Sequence, residues 1–352
     1  MERVRRRPGH RISERHVLSG QPPLTSDQVR SWARYADNSP LYRRLTEVMA
    51  DDADLVEILN AIEHTPRHNV LFAGVQYLMA RDGAGELGRY YPNFTRDHMD
   101  PIGVAKPFRE FVLAHSDDLI EIGRTRYTQT NECRRCVALL PGIWETSAEG
   151  FHLIDVGASA GLTLQIDRYH YSWGDVSWGP EGSPVRLDTE VRGERVQPRD
   201  LAILSRTGLD LNPVDPADPD ARRWLEALVW PEHDDRRRRL RAAVDLASRH
   251  PSELISGDAL ETLGPAIDRF PRDETVVVLN SFILNQLSPA EGERLERLIA
   301  TRRASRPIFR VSMEWIDSEA EAAWLEIDDG SGMRRIGAAH PHGEWVDLYA
   351  RP

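Results

Sequence analysis

The sequence predicts an α/β protein, with a doubly wound sheet behind an all-helical N-terminal domain. Three observations predict it. No alternating strand pattern is found before Phe151. From there on, short apolar runs ending in polar residues alternate with helical stretches, the signature of a parallel sheet covered on both faces. Near the end, AAWLEIDD and MRRIGAAH flank Gly330-Ser331-Gly332, which reads as an antiparallel hairpin. The 352 residues are 40% hydrophobic and 29% charged, a globular balance at a length that favours two domains.

Residues 1–23 read as a basic, flexible leader. Residues 24–147 read as helices. Thr25 and Ser26 are candidate N-caps before DQVRSWARYA. Ser39-Pro40 opens the next helix with proline at its first position. DADLVEILNAIE puts Leu55, Ile58, Leu59 and Ile62 on one face. VLFAGVQYLMA is apolar nearly all round, so that helix is expected to be buried. Pro107 to Trp144 is helical in pattern, broken near His115–Asp118. The α/β domain then runs from 148 to 352. Its strand candidates are FHLIDVG, RTGLDLNP, SELISGDAL, TVVVLNSF and RPIFRVSMEW, with LTLQIDRY expected to be helical behind the first. Residues 172–200 fit neither pattern and read as an insertion with its own turn or ribbon.

Charge and cysteine content narrow the function classes. A net charge of −11 argues against a nucleic-acid binder and leaves a small-molecule or protein partner. No run of 18 apolar residues is present, so no membrane span is expected. No apolar segment follows the basic N-terminus, so it is not a secretory signal and a cytoplasmic protein is expected. Two cysteines cannot build a disulfide scaffold. Cys133-Arg134-Arg135-Cys136 is a lone C-x-x-C without the second pair that zinc needs, and no metal is expected. Lys106 is the only lysine, which limits Schiff-base chemistry to that residue.

The segment Gly157-Ala158-Ser159-Ala160-Gly161 lies between the first strand and its expected helix. Its glycines allow a tight turn and close approach to a ligand, and a helix start would supply free N–H groups. It fits the G-x-S-x-G of a nucleophile elbow, with His340 and His342 downstream. The helical sequence before it lacks the strands and oxyanion loop that such an elbow follows. It misses the dinucleotide spacing G-x-G-x-x-G. It instead resembles motif I of class I S-adenosylmethionine-dependent methyltransferases, with Asp155, Gly157 and Gly161 matching and Ser159 replacing the middle glycine. Asp210 in Gly208-Leu209-Asp210-Leu211-Asn212-Pro213 resembles the acid that holds the ribose hydroxyls. Asp258 in Gly257-Asp258-Ala259 resembles the acid that meets the adenine amino group. Asp210 lies further along the chain than the roughly 20 residues usual for a ribose acid, and the insertion at 172–200 absorbs the difference.

The chain is also similar to an actinobacterial family, domain of unknown function 2332. The matching segments are Tyr127–Glu132, Ile154–Leu162, Asp167–Tyr169, Gly208–Pro213, Trp224–Pro231 and His340–Gly343. The resemblance implies a Rossmann-like methyltransferase-type sheet with a C-terminal antiparallel hairpin behind the helical domain.

Further polar residues complete the candidate site. Gln129, Asn131 and Glu132 are expected on a helix just before the first strand, where they would face substrate or the methionine end of a cofactor. Glu132 would bind an amino group or act as a base; an interdomain hydrogen-bond network is the alternative. In His340-Pro341-His342-Gly343 the two imidazoles share a face of an extended segment. His342 is the candidate general base, against a turn with only a structural role, and His340 a substrate contact. Asn280 and Ser281 follow the fourth strand and are candidate substrate contacts. Arg236–Arg239, flanked by Asp234 and Asp235, reads as a solvated helix surface, with a phosphate-binding patch as the alternative. Trp224 and Trp230 read as core or interdomain packing.

The expected function is methyl transfer from S-adenosylmethionine to a small molecule. Asp155, Gly157, Ser159 and Gly161 would hold the methionine part, Asp210 the ribose and Asp258 the adenine. One alternative is a non-methylating reaction in the same crevice, an intramolecular displacement or elimination. Another is a non-catalytic module that binds a protein through the helical domain.

Overall fold

The computed structural model describes residues 22–146, 150–316 and 322–350. The expected leader lies almost wholly outside them, and so does the expected boundary at 147/148. The chain forms two compact units. One runs to Thr130 and regains the chain over Arg223–Asp234; the other comprises Asn131–Arg222 and the residues from Asp235 on.

The first unit is helical. It contains α1 (Ser26–Ser31), α2 (Pro40–Ala50), α3 (Ala53–Asn60), α4 (Arg67–Asp82), α5 (Ala105–Ala114) and α6 (Ser116–Thr125). Thr25 closes a capping box with Gln28, and Ser39 caps α2 ahead of Pro40. Leu55, Ile58 and Leu59 of α3 turn inward together, and α4 is buried along most of its length. The returning segment, which holds most of α8 (Pro219–Ala227), completes this core. Gln76 donates to Tyr42 Oη at 2.7 Å and to the carbonyls of Ala227 and Val229 at 2.8 and 3.0 Å. Glu232 accepts from Ser39 Oγ at 2.7 Å and from the Leu41 amide at 3.0 Å. Trp230 packs against Tyr42, and Trp224 Nε1 donates to Tyr127 O at 2.9 Å.

The second unit is mixed α/β around one large, mostly parallel sheet. Its strands are β1 (Phe151–Val156), β2 (His170–Trp173), β3 (Val176–Trp178), β4 (Arg186–Gly193), β5 (Ile203–Asp210), β6 (Glu253–Ser256), β7 (Thr275–Ser281), β8 (Ile308–Trp315), β9 (Ala323–Asp328), β10 (Met333–Ala339) and β11 (Trp345–Leu348). They lie in the order β3-β2-β4-β11-β10-β9-β8-β7-β1-β5-β6. The five from β6 to β8 in that order are parallel, and β8-β9-β10 continue as an antiparallel meander. β1 is central, and all six of its residues are buried. Ile154, Val156, Leu209, Val276 and Val278 face α10 (Ala259–Asp268) and α11 (Pro289–Arg303). The opposite face receives α7 (Cys136–Glu145), whose Gly142 sits close to Val311.

Three local expectations change. LTLQIDRY is a short 3-10 stretch over Thr163–Arg168, kinked at Gln165, rather than an α-helix. Its polar residues are held by tertiary bonds: Gln165 Nε2 donates to His250 O, and Asp167 pairs with Arg206 at 2.5 Å. Residues 172–200 extend the sheet itself, because β2 and β4 are parallel neighbours and β4 pairs with β11. Residues 126–132 are irregular, and a 3-10 turn and α7 follow them, so Gln129, Asn131 and Glu132 are not on a helix.

Gly208 shows how tightly this unit is built under the Gly-rich turn. A Cβ there would lie 2.5 Å from Leu254 Cδ2 and 2.7 Å from Ala158 Cβ. Gly208→Ala is expected to destabilise the sheet unit by about 1–3 kcal/mol, the usual cost of overpacking. Urea unfolding of the two proteins measures it, and equal midpoints would show that the turn has slack.

Candidate functional site

The site is built where β1, β5 and β6 end. Their carboxyl ends lie side by side, with Asp155 one residue from the end of β1, Asp210 at the end of β5 and Asp258 just beyond β6. The turn after β1 needs left-handed backbone at Gly157 (φ 82°) and Gly161 (φ 68°). Ser159 adopts it too, at φ 48°, a conformation that costs a non-glycine residue energy. Its side chain is held in return: Asn131 Nδ2 donates to Ser159 Oγ at 3.0 Å.

Every backbone amide of this turn is committed within the protein. Gly157 and Ala158 donate to Leu209 O, and Gly161 donates to Ala158 O. Ser159 donates to Asp210 Oδ2 at 2.8 Å, and Ala160 to Asn131 Oδ1 at 3.3 Å. With only a short, kinked 3-10 stretch and no α-helix behind it, the turn offers neither free amides nor an α-helix dipole end. The anion cradle that a helix start would have made is therefore absent.

The three acids have different surroundings. Asp155 is buried, and burial raises its pKa to about 8, helped by the charge of Asp210 and opposed by Arg135 and a Thr163 hydrogen bond. Asp210 accepts from the Ser159 amide on one oxygen and from the Asn212 amide, also at 2.8 Å, on the other. Asp258 caps α10, accepting from the Leu260 amide at 2.9 Å. A cavity of about 290 Å³ beside the turn is lined by Gly161, Gln165, Pro213, Val214 and Leu254 among others, and by none of these acids.

A second group of side chains gathers at Glu132, which is buried. Its Oε1 accepts from the Arg134 amide at 3.1 Å. Arg236 Nε lies 3.2 Å from Oε2, Arg239 Nε 3.8 Å from Oε1 and His342 Nδ1 3.9 Å from Oε2. Arg236 and Arg239 are therefore not the solvated surface expected of that run. Both lie on α9 (Asp234–Arg249), three positions apart on neighbouring turns, with their side chains about one-fifth exposed, while Arg237 between them is buried. Their repetition within a four-arginine run hid which of them meet Glu132.

Arg135 was not singled out by its sequence context, yet it joins several pieces. Its Nε donates to Pro341 O at 3.0 Å, its Nη1 reaches Ser281 Oγ at 3.5 Å, and its guanidinium lies 4.2 Å over the Phe282 ring. Burial lowers its pKa to about 10. The His340–Gly343 turn seats on the same segment. His340 Nδ1 accepts from the His342 amide at 3.2 Å, and a Cβ at Gly343 would lie 2.4 Å from Arg134 O.

The structure thus brings Asn131, Glu132, Ser159, Asp210, Ser281, His340 and His342 into one connected region with Asp155. Asn280 belongs elsewhere. It is buried, donates to Glu314 at 2.5 Å and accepts from Arg310 at 2.8 Å, so both ends of its amide serve the interior. Gln129 lies in the helical unit. Cys133 and Cys136 are buried free thiols whose pKa values burial raises. Among the described residues no group of three or more His, Cys, Asp or Glu is arranged to hold a metal. No described helix is long and apolar enough to cross a membrane.

Asp155 makes a pH prediction. Its folded pKa of about 8 exceeds the ordinary 3.8, so the folded protein keeps a proton that the unfolded chain releases. That contribution is complete below about pH 4, declines as pH rises, and is lost above about pH 8. Unfolding of wild type and Asp155→Asn at several pH values is expected to show wild type losing stability relative to the variant across this range. Parallel curves would mean that Asp155 is ionised throughout.

The chain matches the bacterial family described as "Uncharacterized protein conserved in bacteria (DUF2332)" over residues 26–348 and belongs to it. No curated protein matches it significantly.

Proposed function

We propose that the sheet unit is a methyltransferase that uses S-adenosylmethionine to modify a small molecule. The observation that carries this reading is the alignment of Asp155, Asp210 and Asp258 at the ends of adjacent parallel strands, beside a glycine-bracketed turn. Ligands of open parallel sheets bind in the crevice at those ends. The committed amides of the turn favour a cofactor without phosphates over a dinucleotide.

The residues present fit the cofactor with two adjustments. Each oxygen of an ionised carboxylate has two acceptor sites, so a ribose diol would share Asp210 with the Ser159 and Asn212 amides. The tip of the Ile283 side chain fills the space over Gly157 and would have to rotate aside. When bound, the cofactor supplies an electrophilic methyl group. Asp155, protonated at neutral pH, would donate a hydrogen bond rather than an ion pair. His342 would take the proton of the substrate's hydroxyl or amine at its imidazole, and the buried carboxylate of Glu132 would stabilise the imidazolium. Glu132 itself faces guanidinium groups, which suits a counter-ion better than a base.

The same Ile283 contact and the replacement of a motif glycine by Ser159 favour a second reading, a non-methylating displacement or elimination in this crevice. Calorimetric titration with S-adenosylhomocysteine separates the two. Methyl transfer predicts micromolar binding at one site, weakened at least about tenfold by Asp210→Ala, a loss of about 1.4 kcal/mol. Absence of binding to folded protein would overturn the methyltransferase reading.

A further inference from the structure

The cluster at Glu132 holds more positive charge than it neutralises. One buried carboxylate, its side chain 1% exposed, faces two permanent cations and an imidazole within 4.0 Å. Arg135 is a third guanidinium nearby; it donates to a carbonyl and a hydroxyl and has Glu314 and Asp155 near it as well as Glu132. Arg134 is set aside, because Asp188 and Glu344 lie near enough to offset it.

The geometry is incomplete as well. Nε of Arg236 and Nε of Arg239 are buried and make no hydrogen bond, and neither does Glu132 Oε2. A buried charge without hydrogen-bonded partners is costly, and an ion cluster with only a structural role is expected to be near neutral and fully bonded. This one still reaches solvent, with the side chains of Arg236, Arg239 and His342 exposed by 19%, 21% and 40%.

We infer that Arg236 and Arg239, with His342 beside them, bind an oxyanion group, carboxylate or phosphate, on the small-molecule substrate. The planar guanidinium fork matches either group, and the Glu132 carboxylate, within 4.0 Å of both, competes with the ligand for them. The site adjoins the crevice because the neighbouring Asn131 is bonded to Ser159 and Ala160 of the turn. Assigning the anion to the methyl acceptor rests on the methyl-transfer reading. Anion binding itself does not, and it is tested without cofactor.

The experiment is calorimetry and thermal melting of the full chain with inorganic phosphate and, separately, succinate. One of them is expected to bind with one-to-one stoichiometry and to raise the melting temperature. Arg236→Gln and Arg239→Gln are each expected to weaken binding about tenfold or more. Arg238→Gln, altering a 67% exposed side chain on the same helix, is expected to leave it unchanged. Glu132→Gln, which removes the competing negative charge, is expected to tighten it. Tighter binding of phosphate would identify a phosphorylated substrate, and tighter binding of succinate a carboxylic acid. Should Arg236→Gln fail to fold, Arg239→Gln and Arg236→Lys carry the test. Failure of both probes to bind folded wild type would overturn the inference, and so would undiminished binding by the folded arginine variants. Neither result depends on whether S-adenosylhomocysteine binds.

Discussion

The carboxylate of Asp210 is the tie on which the candidate site depends. One oxygen holds the Ser159 amide and the other the Asn212 amide, while the Asp210 carbonyl accepts from Gly257. One residue thus joins the ends of β1, β5 and β6. Ser159 can stay in left-handed backbone because its amide and its hydroxyl are both held, the latter by Asn131. The strain of that conformation is offset by bonds that only the assembled sheet provides.

The same tie carries the site toward Glu132. Asn131 binds the turn, Glu132 follows it, and Arg135 reaches Ser281 at the end of β7 and the carbonyl of Pro341. A short irregular segment before α7 therefore connects the turn, two strand ends and the histidine turn. Electrostatics divide this region. Near Asp155, burial and a neighbouring acid favour a neutral carboxyl. Near Glu132, arginines outnumber the single acid. A molecule with an anionic end and a nucleophilic group suits such a division, because the charge would orient it before any reaction.

Some of this was legible in the residues themselves. The helical character of the first part followed from capping residues and 3.6-residue periodicity, as at Thr25, Ser39 and Leu55–Ile62. The strands from β5 to β10 followed from apolar runs between turn residues. Those signals are local, and local physics is written in consecutive residues. β11 was missed because Trp345–Leu348 is short and lies at the chain end. The helix expected behind the Gly-rich turn had the right periodicity, yet Gln165 and Asp167 found tertiary partners that the α-helix would have denied them.

By itself, the sequence determined the class of fold, the order of most elements and the family. It also determined that Asp155, the Gly157–Gly161 turn, Asp210 and Asp258 lie at the ends of three strands, because spacing and turn chemistry are properties of the chain. Only the tertiary structure decided what those residues are free to do. Whether the amides of Ser159 and Ala160 are open or spent, and whether Asn280 points outward, depend on distant partners. So does the pairing of Arg236 and Arg239 with Glu132. A run of four arginines carries no periodic contrast, so only the fold decides which of them meet Glu132.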